Sequence, residues 1–135
     1  MPVPPMRRGD IPDELNRISG HVLDGAIEVH RTLGRELSES TYQVCLKHEL
    51  ELRGFRVEME RRLPLVYKDL LVPDAYRADL LVEDKVIVEL KCVEKLLPAH
   101  EAQLMNYLHS SGCRLGMILN FRAPLIKEDF RRRVL

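Results

Sequence analysis

The chain has no net charge to offer a partner: 21 lysines and arginines meet 21 aspartates and glutamates. No global field draws it to a polyanion, so any grip on nucleic acid must come from local patches. Aromatic residues are scarce at 5%, and they form no visible aromatic–basic reading surface. Cysteine is also scarce. Cys45, Cys92 and Cys113 are odd in number and widely spaced, without a CxxC, which predicts reduced structural thiols in a cytoplasmic protein. No cysteine–histidine spacing suits zinc. No apolar run is long enough to span a bilayer, so no membrane association is expected. The opening Met-Pro-Val-Pro-Pro-Met-Arg-Arg lacks the apolar core of a secretory signal. There is no phosphate-cradling glycine loop, nucleophilic Ser/His/Asp set, internal repeat or low-complexity linker.

What remains is ordinary globular material: 135 residues, 45% hydrophobic and 31% charged. That is enough for one core without disulfides. Residues 1–10, proline-rich and basic, read as a flexible tail, and 11–135 as a single domain. Asp10-Ile-Pro-Asp13 reads as a helix start. Leu15, Ile18, Val22, Ala26, Val29 and Leu33 recur at helical spacing until Gly34. A second helix is expected from Ser38, a candidate N-cap, to Gly54. From Phe55 the period changes to two, with Pro64 as an interruption that suggests an edge strand or a bend, and Lys68-Asp69 as a turn. Pro98 to Gly112 predicts a third helix, with Ala102, Met105 and Leu108 on one side. Leu115–Phe121 reads as a buried strand, and a right-handed crossover makes it parallel to the strand before the helix. Leu125–Leu135 is expected to form a short basic helix. The order ααβββ(β)αβα is an α/β sandwich around a mixed sheet.

The organising stretch is Arg77–Lys91: two β-rich runs around Glu83-Asp84-Lys85. A three-residue loop sets Leu81 opposite Ile87 and Asp79 opposite Glu89. Ala78, Leu80, Val82, Val86, Val88 and Leu90 then share an apolar face, while Arg77, Asp79, Glu89 and Lys91 gather on the other. A two-residue loop would mix the faces. Two carboxylates at the end of a half-buried hairpin are costly unless paired, and a divalent cation is the natural partner. The ordinary alternative is a cross-strand salt bridge worth about 0–1 kcal/mol.

Asp79 followed by Glu89-Leu-Lys91 has the D…ExK form of the PD-(D/E)XK nuclease superfamily. The segment Leu33–Tyr42 resembles the one that names the GxxExxY proteins, with Glu39 and Tyr42 in place and Glu36 where those proteins have glycine. His100–Tyr107 and Ile118–Phe121 are similar to further blocks, so the resemblance spans roughly Ile18 to Val134. Pro73-Asp74 imitates the literal "PD", but Asp79 is the residue that faces Glu89.

The resemblance implies a restriction-endonuclease-like core, a mixed sheet flanked by helices, and phosphodiester hydrolysis. It implies Mg²⁺, with Mn²⁺ as substitute, held by Asp79, Glu89, the Leu90 carbonyl and Glu39. Lys91 would orient the attacking water, and Gln103 and Tyr107, four apart on one helix face, would support a catalytic group or touch phosphate. Taken alone, Glu39 is an ordinary acid at a helix start, and Gln103 and Tyr107 a surface glutamine and a half-buried tyrosine. The implied partner is nucleic acid, DNA ahead of RNA, gripped by Arg61-Arg62, Lys95 or Arg131–Arg133. The oligomeric state, a homodimer included, stays open. The rival readings are a non-catalytic nucleic-acid-binding or structural module that keeps the fold, and a small-molecule phosphodiesterase.

Overall fold

The computed structural model describes residues 11–135; the tail expected over residues 1–10 lies outside them. Helix α1 runs Asp13–Leu33 and α2 Glu39–Leu52. Five of the six apolar positions expected on α1 are buried, while Leu33 is exposed. Ser38 caps α2 by accepting the Thr41 N–H at 3.3 Å, as its hydroxyl predicts. Tyr42, wholly buried, stacks on Phe121 with ring centroids 4.5 Å apart. Its hydroxyl accepts the Leu37 N–H and donates to the Gly34 carbonyl. The loop that delivers Glu39 is thus tied down by a tyrosine one turn further on.

Strands follow at β1 Val57–Tyr67, β2 Leu70–Val82 and β3 Val86–Lys91, then helix α3 Pro98–Ser111 and strand β4 Leu115–Asn120. Strand β1 lies at the edge of the sheet and its register shifts between Leu63 and Leu65 around Pro64, while β2 runs unbroken through Pro73. Leu81 pairs with Ile87, and Glu83 and Asp84 take left-handed φ values of 53° and 57° to close the three-residue loop. Strand β4 lies parallel to β3, as the crossover rule requires. A Cβ on Gly116 would stand 2.7 Å from Leu104 of α3. Glycine there lets α3 settle directly on β4.

The last segment departs from expectation. In place of a basic helix, a 3₁₀ turn at Ile126–Glu128 leads into strand β5, Phe130–Val134, antiparallel to β4. The sheet order is β1-β2-β3-β4-β5. The arginines are consumed within the fold: Arg131 and Arg133 meet Glu101 at 2.6 and 2.8 Å, and Arg132 reaches Asn16. The buried stripe of α3 is Leu104, Tyr107 and Leu108, not Ala102, Met105 and Leu108. His30 packs on Phe121 and His48 is exposed.

Two cores fill the sandwich, one on each side of the sheet. Leu80, Val82, Val86, Val88 and Leu90 pack against α1 and α2. Leu81, Ile87 and Ile118 pack against α3. Ala78 breaks the alternation by joining the α3 side with Tyr76 and Leu63. The strand switches faces at Asp79, opposite Glu60, whose φ of 55° is left-handed, a conformation that disturbs pleating in a non-glycine residue.

Candidate active site

The face switch falls where the sheet divides. Strand β2 pairs with β3 only over Leu80–Val82, while β3 continues beside β4 as far as Lys91. Beyond Leu80 the two strands part, and backbone donors that would have served the ladder need other partners. Asp79 and Glu89 supply them. The Asp79 N–H donates to Glu89 Oε1 at 3.1 Å, and the Leu90 N–H donates to Asp79 Oδ2 at 2.8 Å. From α2, Gln43 Nε2 donates to the Asp79 carbonyl at 2.9 Å. The two carboxylates are therefore built into the fork and held together by these bonds, although the strand pairing expected between them ends one residue short, at Leu80–Val88.

A cavity of about 510 Å³ opens there. Glu39, Asp79, Glu89, Lys91, Gln103 and Tyr107 all line it. Arg62 and the Asp74–Arg77 stretch of the β1–β2 ribbon form its remaining wall. Asp74, 3.3 Å from Arg62, sits at this outer wall on the β1–β2 ribbon, beyond the stretch where β2 pairs with β3. Residues from Glu39 to Tyr107 meet because α2 begins, β3 ends and α3 passes at one end of the sheet. His100 and Glu101 do not join them: His100 Nδ1 accepts the Leu97 N–H at the start of α3, and Glu101 binds the β5 arginines.

The electrostatics are lopsided. Glu89 is buried, at 4% exposure. Burial, then the charge of Asp79, hold its carboxyl well above the ordinary range, and Lys91 offsets this only in part. No ion pair joins Lys91 to either acid among the described residues, so the salt-bridge alternative has no contact to rest on. Tyr107, whose ring lies 5.3 Å from that of Tyr76, is pushed up to about 12 by burial and by the charges of Glu89 and Asp79. It is a hydroxyl donor at neutral pH.

This donor set suits a hard cation: two carboxylates crowd together with too little positive charge. Asp79 and Glu89 provide two acidic ligands. Among the described residues, no three His, Cys, Asp or Glu side chains stand close enough to hold one ion together, and Glu39 is exposed at the cavity rim.

A family model described as the PD-(D/E)XK nuclease superfamily matches residues 16–133. The chain belongs to the PD-(D/E)XK nuclease superfamily. No curated protein and no solved structure matches it. The five-stranded mixed sheet flanked by helices is a restriction-endonuclease-like α/β fold. PD-(D/E)XK proteins are typically nucleases, usually with divalent metal ions, so nucleic acid is the substrate the superfamily implies. Among the described residues no helix is long and apolar enough to cross a membrane. Sequence reasoning missed Gln43 and Tyr76, while Arg77, expected beside the carboxylates, and Arg62, expected only as a grip on nucleic acid, both line the cavity. Gln43 had a signal: it lies one turn after Glu39 on the same helix face.

Proposed function

We propose that this PD-(D/E)XK protein is a Mg²⁺-dependent nuclease, with Mn²⁺ as substitute, that hydrolyses phosphodiester bonds in DNA ahead of RNA. The observation that carries this reading is the fork: two facing carboxylates and an unpaired lysine share a cavity wall with Glu39, Gln103 and Tyr107. Asp79, Glu89 and the Leu90 carbonyl would hold the ion, with Glu39 closing from the start of α2. Bound there, the ion would lower the pKa of a coordinated water and neutralise the phosphate.

The chain's own groups account for the rest. Lys91, at the end of β3 and half-buried, holds the attacking water by hydrogen bond and meets the negative charge that grows on phosphorus-bound oxygen. Tyr107 keeps its proton and donates to a phosphate oxygen, and Gln103, on the same face of α3, orients it. Gln43 fixes the backbone of Asp79, so the carboxylate is positioned before substrate arrives. The Leu33–Tyr42 segment, with Glu39 and Tyr42 in place and Glu36 standing for the motif glycine, supports a position among the GxxExxY proteins.

A fold-keeping binding module is favoured by one observation: Glu39 stands apart from the two facing acids. The two readings separate in a cleavage assay on a panel of single- and double-stranded DNA and RNA with Mg²⁺ or Mn²⁺. The nuclease cleaves at least one substrate, and Lys91→Ala loses roughly 10²- to 10³-fold in rate with its circular dichroism unchanged. Binding without cleavage by the wild type, or equal activity in Lys91→Ala, overturns the proposal.

A further inference from the structure

Just past the fork, two arginines face each other across the β1–β2 ribbon: Arg62 on β1 pairs directly with Arg77 on β2. Side chains so opposed stand about 4.5–5.5 Å apart at Cβ, and like charges there are destabilising. The partners each arginine has are weak. Arg62 lies 3.3 Å from Asp74 and Arg77 3.7 Å from Glu60; both pairs are exposed, and such pairs contribute about 0–1 kcal/mol. Among the described residues neither guanidinium makes a hydrogen bond, whereas the neighbouring Arg61 donates to Glu58 at 2.8 Å. Arg61 opposes Ala78 and shares its face, that of the α3 core. Arg62 and Arg77 take the other face, because successive residues of a strand alternate, and both line the cavity with Asp79, Glu89 and Lys91. The Arg77 charge is felt at the Tyr107 hydroxyl, where it works against burial and the two carboxylates.

We propose that Arg62 and Arg77 clamp a second phosphate of the bound strand, next to the one that is cleaved, and that Asp74 holds Arg62 until the strand arrives. This subsite rests on the nuclease reading and narrows its substrate: a site with two phosphate positions takes a polynucleotide strand, not the lone phosphodiester of a small molecule. Arg77 stands two residues from Asp79 on β2, about 6.5 Å along the strand. That step is comparable with the one between successive phosphates of a nucleic acid. Guanidinium groups match phosphate oxygens in planar, two-pronged fashion, and such charge-assisted bonds are about twice as strong as neutral ones. A phosphate between the two arginines therefore turns their repulsion into attraction to a shared partner. It also supplies locally what the chain lacks as a whole, since the net charge is zero and no global field gathers a polyanion. Asp74 lines the same cavity, so its carboxylate competes with the incoming phosphate for Arg62.

Fluorescence anisotropy of a short labelled DNA strand and of its duplex, with the full chain in Ca²⁺ and across roughly 50–200 mM salt, tests this. Arg62→Gln with Arg77→Gln weakens binding at least about tenfold and flattens the slope of log K against log salt by roughly one. Arg61→Gln, one residue away on the opposite face, leaves the slope unchanged. Asp74→Asn removes the internal competitor and tightens binding, a gain that misfolding does not imitate. A wild type that binds neither probe overturns the inference, as does a double variant with the wild-type slope. So does an Arg61→Gln loss equal to that of the double variant, or weaker binding by Asp74→Asn. Cleavage of the same probes is read separately in Mg²⁺. A protein that binds through the two arginines and cleaves nothing removes the nuclease and keeps the phosphate subsite. One that cleaves, while the double variant binds and cleaves like wild type, removes the subsite alone.

Discussion

Two carboxylate clusters lie side by side at the ends of the parallel strands, and they are electrostatic opposites. At the end of β4, Asp129 Oδ2 accepts from Asn120 Nδ2 at 2.8 Å and from the Leu96 N–H at 3.0 Å, and Arg131 approaches Oδ1 at 3.2 Å. Burial pushes the Asp129 carboxyl up, but these donors and the Arg131 charge outweigh it and leave it below its ordinary value. Asn120 also exchanges two hydrogen bonds with the Val93 backbone, so the cluster ties down the loop after β3. At the fork, one acid faces another and the net push is upward. Strand ends readily collect carboxylates. Those balanced by donors hold the structure, whereas those left in excess await a partner from outside.

The sharpest break in that comparison comes from removing Asp129. Asp129→Ala strips an acceptor from the buried Asn120 amide and the Leu96 N–H, and should cost about 2–3 kcal/mol in urea unfolding. A loss under half a kilocalorie would mean that water replaces the carboxylate and that the cluster is not structural. Next in size is the response to metal. An ion held at the fork stabilises the fold by about 2.7 kcal/mol at a hundred times its Kd. Mn²⁺ should therefore raise the melting temperature of wild type, and leave Glu89→Gln nearly unmoved. An equal rise in both would place the ion elsewhere.

The hairpin register was readable in sequence because its evidence is periodic, whereas the parting of the strands beyond Leu80 was not. Alternation on both sides of Glu83–Lys85 admits one register, and that register sets Asp79 against Glu89. Glu60 was not readable: nothing local announces that a glutamate will go left-handed and turn Ala78 to the other core. The α3 stripe was misassigned because Ala102 and Met105 compete with Leu104 and Tyr107 in a helix of weak amphipathicity, and only packing on Gly116 decides. Phe130–Val134 shows no alternation. Its strand exists because β4 offers an edge and because Glu101 and Asn16 receive the arginines, contacts that span up to 116 positions.

The comparison has a pH signature of opposite signs. Asp129, with its folded pKa depressed, adds stability that is present above its unfolded value and lost as pH falls toward the folded one. Glu89, with its folded pKa raised, does the reverse. Between its unfolded value near 4.5 and its higher folded value, the native state binds the extra proton, so metal-free stability declines as pH rises. Glu89→Gln should abolish that decline, and Asp129→Asn should flatten the acid limb below about pH 4. Urea midpoints across pH 3–8 in chelator check both; a Glu89→Gln curve parallel to wild type would remove Glu89 as the titrating group.

The smallest effect separates the two clusters most cleanly, because it concerns a substitution that should do no harm. Asp79→Asn keeps the shape of the side chain, and its amide oxygen still accepts the Leu90 N–H that the carboxylate accepts at 2.8 Å. What disappears is one of two like charges at a buried site, and with it part of the pressure on Glu89. No salt bridge is lost, since neither Lys91 nor Arg77 is bonded to Asp79; Arg77 lies by Glu60. The metal-free variant should thus unfold no more easily than wild type, and gain on the order of 1 kcal/mol. Its Mn²⁺ response should shrink, because one ligand charge has gone. A structural carboxylate behaves otherwise, as Asp129 is expected to. An Asp79→Asn protein that melts clearly lower without metal, and still responds fully to Mn²⁺, would move Asp79 into the class of Asp129 and leave Glu89 as the only metal-holding acid of the fork.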